Sequence, residues 1–322
     1  MFAQLNKAGL VLMLAGAGAL PLWAAEPVTQ PAAAQAELPL AESARGSARS
    51  LAEWLARSVD SWFGDRPFED GGSVTRGKLT INVFKRADQD PDLDVRFDAR
   101  FKLPNVERSA YLFVGRDDQR EAAKDAPQTR SRQQQLLAAR SENSGLLAGL
   151  GLALPGDVDF RVGLGSRLKP YVQLRYSKSW SLTDTQALNF RETVFLTPQD
   201  RLGSTTVGSY ALQWSPAVSM HWVNAVTVTR AARGFEWSSS VGAERSFGQQ
   251  RVLGLELLLN GREQAPADEG YSDRGVLLRW EQPVYKNWLL GQVVAGHFWP
   301  RPDTAAERGK AWAVGAGLKM LF

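Results

Sequence analysis

Two histidines, His221 and His297, are the only imidazoles in 322 residues, and there is no cysteine. A thiolate nucleophile, a thiolate metal site and a disulfide framework are therefore excluded. Two histidines also make a multi-histidine metal centre a poor reading. Ser219 and His221 stand two apart, the spacing at which side chains share one face of a strand. A hydroxyl beside an imidazole could be a nucleophile and its base, but that chemistry needs a third group to orient the base. Asn224 falls on the opposite face in regular alternation and cannot serve. His297 has no adjacent carboxylate, although Asp303 lies in the adjoining loop. Ser219 and His221 read as ordinary wall residues. The expectation is a protein with no catalytic residues, no metal and no cofactor. The glycine-rich "GLLAGLGLALPG" lacks the lysine and the strand-to-helix context of a phosphate-binding loop. Small residues between apolar ones more often permit close strand packing.

The remaining chemistry is charge in alternation. In "DLDVRFDARFK", Leu93, Val95, Phe97, Ala99 and Phe101 point one way and Asp94, Arg96, Asp98, Arg100 and Lys102 the other. Arg161, Arg175, Arg191, Glu244 and Glu256 hold similar polar positions in later segments. So do Asp159, Arg167, Gln173, Glu236, Arg279 and Glu281. Both signs occur in quantity. Two readings stay open. One is a wet network of ion pairs that fills and rigidifies an interior. The other is a polar channel whose arginine ladder, led by Arg161, Arg175 and Arg191, selects anionic or zwitterionic solutes. The net charge is only +4, with signs interspersed and no basic stripe bearing stacking aromatics. Nucleic acid is a poor partner for such a surface.

The elements that position these residues follow from periodicity. Residues 1–25 have one lysine, Lys7, a short apolar run and small residues before Glu26, the pattern of a cleaved secretory signal peptide. No later stretch has the ~18–20 continuous apolar residues of a spanning helix. Residues 26–46, rich in Ala, Pro, Glu and Gln, read as a disordered periplasmic leader. Within 47–75, Leu51, Trp54, Leu55, Val59, Trp62 and Phe63 form one helical stripe, with Ser50 as cap and Gly64 and Pro67 as stop. That short amphipathic helix must rest on something. It could pack on the following domain, lie in a membrane interface or contact a partner. Trp54, Trp62 and Phe63 are its anchors, with docking on or plugging the periplasmic mouth as a specific option.

From Arg76 the period becomes 2. Segments of about ten residues with alternating polarity, separated by turn residues, mark a transmembrane antiparallel β-barrel over 76–322. Short connections at 103–109, 154–157, 214–217 and 283–287 fall on one side of a fourteen-strand arrangement. Long polar ones at 117–142, 261–272 and 300–309 fall on the other. Twelve strands are the alternative, because the "RLKP" connection is short for an outer loop. Trp180, Trp214, Trp222, Trp237, Trp280, Trp288, Trp299 and Trp312 sit towards strand ends, as an interfacial girdle would.

The closing "AWAVGAGLKMLF" puts Trp312, Val314, Ala316, Leu318, Met320 and Phe322 on one face. This resembles the C-terminal signal strand of bacterial outer-membrane β-barrel proteins. With the export signal and the dyads, the resemblance covers roughly 76–322. "DSWFGD", "FRETVFLTPQDRLGSTT" and "WLLGQVVAGHFWPRPD" look similar to segments of uncharacterised proteobacterial outer-membrane proteins. The resemblance implies a Gram-negative outer-membrane location and lipid and lipopolysaccharide as surroundings. It also implies recognition of Phe322, Met320 and Leu318 by the barrel assembly machinery. It assigns no activity. The expected role is a passive pore or small-solute transporter, or a closed structural barrel with a charged lumen. The alternatives are a lipid-directed enzyme, of phospholipase or lipid A modification type, and a docking platform for a periplasmic partner.

Overall fold

The computed structural model describes residues 39–60, 73–102, 109–118, 144–165, 169–232, 234–248, 250–264, 271–302 and 306–322. One helix, α1 (Pro39–Asp60), precedes fourteen strands. The first seven are β1 (Ser73–Arg86), β2 (Asp92–Lys102), β3 (Ala110–Asp118), β4 (Ser144–Leu154), β5 (Val158–Leu164), β6 (Pro170–Thr183) and β7 (Gln186–Thr197). The others are β8 (Arg201–Ser215), β9 (Val218–Thr229), β10 (Gly234–Ser246), β11 (Val252–Gln264), β12 (Tyr271–Tyr285), β13 (Leu289–Phe298) and β14 (Ala311–Leu321). Each strand pairs with its neighbours in sequence, and β1 pairs with β14, so the sheet is a closed antiparallel barrel. Closure satisfies the backbone ladder all round and leaves no edge. Strands about 4.8 Å apart and tilted about 40° give fourteen of them a backbone radius of about 14 Å.

The fourteen-strand reading holds, and the twelve-strand alternative falls. The strands that flank the connection which suggested twelve, β5 and β6, pair directly with each other, and Gly165 donates its N–H to the Lys169 carbonyl at 2.9 Å. The end where β1 starts and β14 finishes is termed the lower end. The short connections at 103–109, 154–157, 214–217 and 283–287 lie there, and the three long ones lie at the upper end. Register makes the two wall faces explicit. Ile81, Val83, Leu174, Val194, Val226, Leu257, Val293, Val314 and Leu318 are all exposed on the outer face. Their sequence neighbours turn inward. Among the described residues, no helix is long and apolar enough to cross a membrane; only the strands present an apolar band.

Three features differ from the sequence reading. First, α1 begins at Pro39, inside the stretch assigned to a disordered leader over 26–46. Proline is tolerated in a first helical turn, where its missing N–H costs nothing. Contacts with the wall then supply what composition could not show. Ala41 packs on a cluster of Tyr285, Trp288, Leu289 and Met320. Arg45 donates to the Leu321 carbonyl at 3.2 Å and stacks 5.0 Å above the Trp288 ring. Second, Leu79, Leu289 and Met320 face outward, so the first half of α1 lies against the outer wall at the lower end. There it does not plug the mouth. The Trp54 side chain, and Trp62 and Phe63 altogether, lie outside the described residues. Third, the tryptophans are less uniformly terminal than expected. Trp214 and Trp312 stand next to strand ends, with 72% and 71% exposure, whereas Trp222 is the fifth residue of β9.

The β1–β14 seam explains one glycine. The Phe322 ring lies over Gly77 and stacks on Phe97, with centroids 5.9 Å apart. A Cβ on Gly77 would sit 2.4 Å from that ring. Phe322 N–H also donates to the Gly77 carbonyl at 3.1 Å. Phe322 thus occupies a slot that only glycine leaves open. Met320 is buried beside it and Leu318 remains exposed on the outer wall.

Candidate functional site

The lumen is the candidate site, and register assigns its lining. On β2 the outward series begins with exposed Leu93, so Asp94, Arg96, Asp98 and Arg100 point inward. Phe160 and Val162 are exposed outward on β5, which turns Asp159 and Arg161 inward. Arg175 pairs with Asp159, Arg161 with buried Gln173, and Arg191 with Ser177, all on the inner face. Arg161, Arg175 and Arg191 therefore step down by two residues per strand. The tilt alone lowers a level line by about one residue per strand. The three guanidinium groups accordingly form a shallow arc around the wall. Arg167 lies outside the described residues.

Several of these arginines are held by named partners. Arg96 pairs with Asp94 at 2.6 Å and Arg161 with Asp159 at 3.3 Å. The Tyr111 hydroxyl bridges that second pair, 2.7 Å from Arg161 Nε and 2.7 and 2.8 Å from the Asp159 oxygens. Arg100 stacks 4.4 Å from the Tyr111 ring centre. The Tyr111 ring lies flat on Gly151 of the next strand, where a Cβ would be 2.2 Å away. Flat rings take less of the lumen than upright ones. The basic arc is thus fixed to the wall by an aromatic and carboxylate backing.

Further round the ring of fourteen stand β10 to β12, which face β3 to β5 across the lumen. Glu236, Glu244, Glu256 and Glu281 face inward there. Glu244 and Glu281 share Arg279, Glu281 also receives Lys319 at 3.1 Å, and Arg262 holds Glu236 at 2.6 Å. Among the described side chains of β2–β7 the inward charges are Arg96, Arg100, Lys102, Arg161, Arg175 and Arg191 against Asp92, Asp94, Asp98 and Asp159, six minus four. On β10–β12 they are Arg262 and Arg279 against Glu236, Glu244, Glu256, Asp273 and Glu281, two minus five. A net positive wall faces a net negative one across the lumen. Opposed charges inside low-dielectric walls set up a transverse field that orders any polar solute passing between them.

The upper part of the lumen is different. Phe84, Leu258, Leu277, Val294, Phe298, Ala311 and Ala313 form a buried apolar cluster facing inward from β11–β14 and β1. Beside it, Arg86 makes a 2.6 Å pair with Asp273, a two-pronged pair with Asp88 at 2.7 and 2.9 Å, and a 4.8 Å stack on Phe298. This cluster narrows one side of the barrel. Sequence reasoning missed Arg86 because it is the last residue of its strand and reads as a solvated end.

The other candidates are dispersed. Ser219 and His221 face the lumen, with the imidazole packed on Gly242, so they are not on the lipid-facing wall. His297 faces outward near the upper end, its ring 4.4 Å from Trp299 and 4.6 Å from Trp312; Asp303 lies outside the described residues. Glu192 was also missed. It sits in the outward apolar series Leu188, Phe190, Val194 and Leu196, so the sign that marks it is a carboxylate in the wrong register.

No family model matches the chain, and no curated protein does. Among solved structures, the chain is similar to the outer-membrane protein OmpT of Vibrio cholerae, at 12% identity and a TM-score of 0.48, over 78% of this chain and 98% of that one. It is also similar to the outer-membrane channel DcaP of Acinetobacter baumannii, at 10% identity and a TM-score of 0.46, over 79% and 98%. The anion-selective porin from Comamonas acidovorans aligns at 10% identity and a TM-score of 0.43, over 78% and 100%.

Proposed function

We propose that the chain is an exported outer-membrane protein whose lumen passes small anionic or zwitterionic solutes passively. The lower end then faces the periplasm and the long connections face outside, as barrels with short periplasmic turns are arranged. The observation that carries the reading is the arc of Arg161, Arg175 and Arg191 on β5–β7, set apart round the lumen from the glutamates of β10–β12. An arginine facing lipid near the midplane costs about 2–4 kcal/mol, so inward placement alone needs no function. The segregation of sign across the lumen is not required by that cost. The partners in this reading are lipid, lipopolysaccharide and, through Phe322, Met320 and Leu318, the barrel assembly machinery. No cofactor takes part.

The test is single-channel recording of pure protein in planar bilayers under a salt gradient. Changing Arg161, Arg175 and Arg191 together to glutamine should move the reversal potential towards cation selectivity. Conductance and selectivity unaltered by all three changes would refute the arc as a selectivity device. A second reading, a closed structural barrel, is favoured by the apolar cluster around Phe84 and Phe298; absence of conductance in the unmodified protein would support it. Phospholipid turnover abolished by His221→Ala would support a lipid-directed enzyme instead.

A further inference from the structure

Five polar side chains interrupt the apolar outer wall in the middle of β7–β10. Glu192 lies six residues from Gln186 and five from Thr197 on β7. It shares its face with exposed Leu188, Val194 and Leu196, and it pairs with Tyr176 and Thr206. Ser204 and Thr206 donate their hydroxyls to its carboxylate, Thr206 at 2.6 Å. Asn224 and Ser239 pair with each other across β9 and β10 on the same outer face. Ser239 accepts the Trp222 indole N–H at 3.2 Å. Asn224, half-buried, has no side-chain hydrogen-bond partner among the described residues. Elsewhere the outer wall carries Leu255 and Leu257 on β11, Val314 on β14, Ile81 on β1 and Val95 on β2. Hydrocarbon offers neither a donor nor an acceptor to a carboxylate or an amide.

The two unlike groups stand at matching heights. Following register from Leu79 to Phe97, Arg116 and Leu146 climbs steadily towards the upper end. A level line therefore drops below the register by about one residue per strand, for strands tilted about 40°. Glu192 is in register with Thr206 and then Val226. Two strands on, the level position is about two residues lower, which is Asn224. Midway, on β8, it lies between Thr206 and Gly208. A Cβ added at Gly208 would meet nothing within 4 Å, so the wall is open there to close approach. The first half of α1 packs on the outer faces of β12–β14 and β1, on the other side of the ring.

We infer that the β7–β10 face docks a second copy of this chain around a two-fold axis parallel to the barrel axis, passing between Thr206 and Gly208. That rotation sets Glu192 of one copy against Asn224 of the other, twice. The carboxylate can only accept and the amide can donate, so each supplies what the other lacks. A self-complementary patch of this kind is the signature of an isologous dimer. The inference does not depend on what passes through the lumen.

The chain has no cysteine, so single cysteines report contacts cleanly. In reconstituted vesicles, Gly208→Cys, or Thr206→Cys as a second axial position, should form a disulfide dimer under mild oxidation. Val314→Cys on the β14 wall should stay monomeric. Adding Glu192→Leu to Gly208→Cys should lower the dimer fraction about tenfold, and the heat-dependent gel shift of a folded barrel confirms that each variant is intact. Equal cross-linking at 208 and 314 would overturn the proposal. So would cross-linking at neither axial position, or a dimer fraction untouched by Glu192→Leu.

Discussion

The Arg86–Asp273 contact offers the sharpest energetic test of how the upper lumen is held. Both side chains are 1% exposed, and the pair joins β1 to β12 across two intervening strands. Asp273→Ala leaves a buried guanidinium with Asp88 alone, whose own side chain is 34% exposed. Removing one partner of a buried pair costs about 3–5 kcal/mol, because the surviving charge stays desolvated. Asp88 and the Phe298 face remain, so the lower end of that range, about 3 kcal/mol, is expected. The joint change Arg86→Met with Asp273→Leu removes both charges beside Phe84, Leu277 and Phe298. It should cost less than about 1 kcal/mol or stabilise, as replacement of buried pairs by packed apolar groups does. Urea unfolding in lipid vesicles, followed by tryptophan fluorescence, measures both. With a slope of about 1–3 kcal/mol per molar urea, the single variant should shift its midpoint by about 1 M or more. A double variant as destabilised as the single would refute the desolvation argument. The loss would then belong to packing or to strand pairing.

The remaining expectations are local. Gly77→Val should impair assembly into the outer membrane, because its Cβ falls 2.4 Å from the Phe322 ring; Gly208→Ala, with open space, is the matched control. Deleting Phe322 should impair assembly likewise, and normal membrane levels of either variant would count against the slot. The docking of α1 should depend on pH through Glu42 and Lys286. Their hydrogen bond holds the Glu42 carboxyl below its usual 4.5 and the Lys286 ammonium above its usual 10.5. The contribution is therefore fully present between those values. It is lost as pH falls through the depressed carboxyl value or rises through the raised ammonium value. Hydrogen exchange of α1 amides, corrected for intrinsic rates, should be flat across the middle range and rise at the acid end. Lys286→Gln should weaken that acid dependence, with Tyr285 and Arg45 left to hold the carboxylate.

The barrel was legible because its periodicity is redundant. "DLDVRFDARFK" alone fits a soluble sheet, but fourteen such segments, with every long connection on one side, fit a closed barrel. The inward placement of Arg161, Arg175 and Arg191 follows from the same dyad. What sequence could not show is anything set by contact between distant segments. The helix start at Pro39 rests on Ala41 and Arg45 meeting a wall more than 240 residues away, at Trp288 and Leu321. Arg86 and Asp273 become a pair only because β1 and β12 stand three strands apart round a closed ring. The flat Tyr111 ring depends on Gly151 being its register partner, which no local pattern reveals.

Glu192 shows where a pattern hides a site. In "NFRETVFLT" the dyad sends Arg191 into the lumen and Glu192 to the outer wall, one residue apart. A one-residue slip would exchange them and turn Phe190, Val194 and Leu196 inward. It would also lift the Phe195 ring off Gly203, where it now packs as tightly as a missing Cβ allows. The register is therefore pinned by groups on both faces, and the outward carboxylate is a consequence the wall must meet. Ser204 and Thr206 meet part of it from the neighbouring strand. An isolated barrel would still hold a carboxylate and an amide against hydrocarbon, and replacing either by leucine would stabilise it. If the two are used, as acceptor and donor between copies, the same replacements weaken association instead. The sign of the Glu192→Leu effect on vesicle-bound protein, more stable or less dimeric, therefore separates a tolerated residue from a working one.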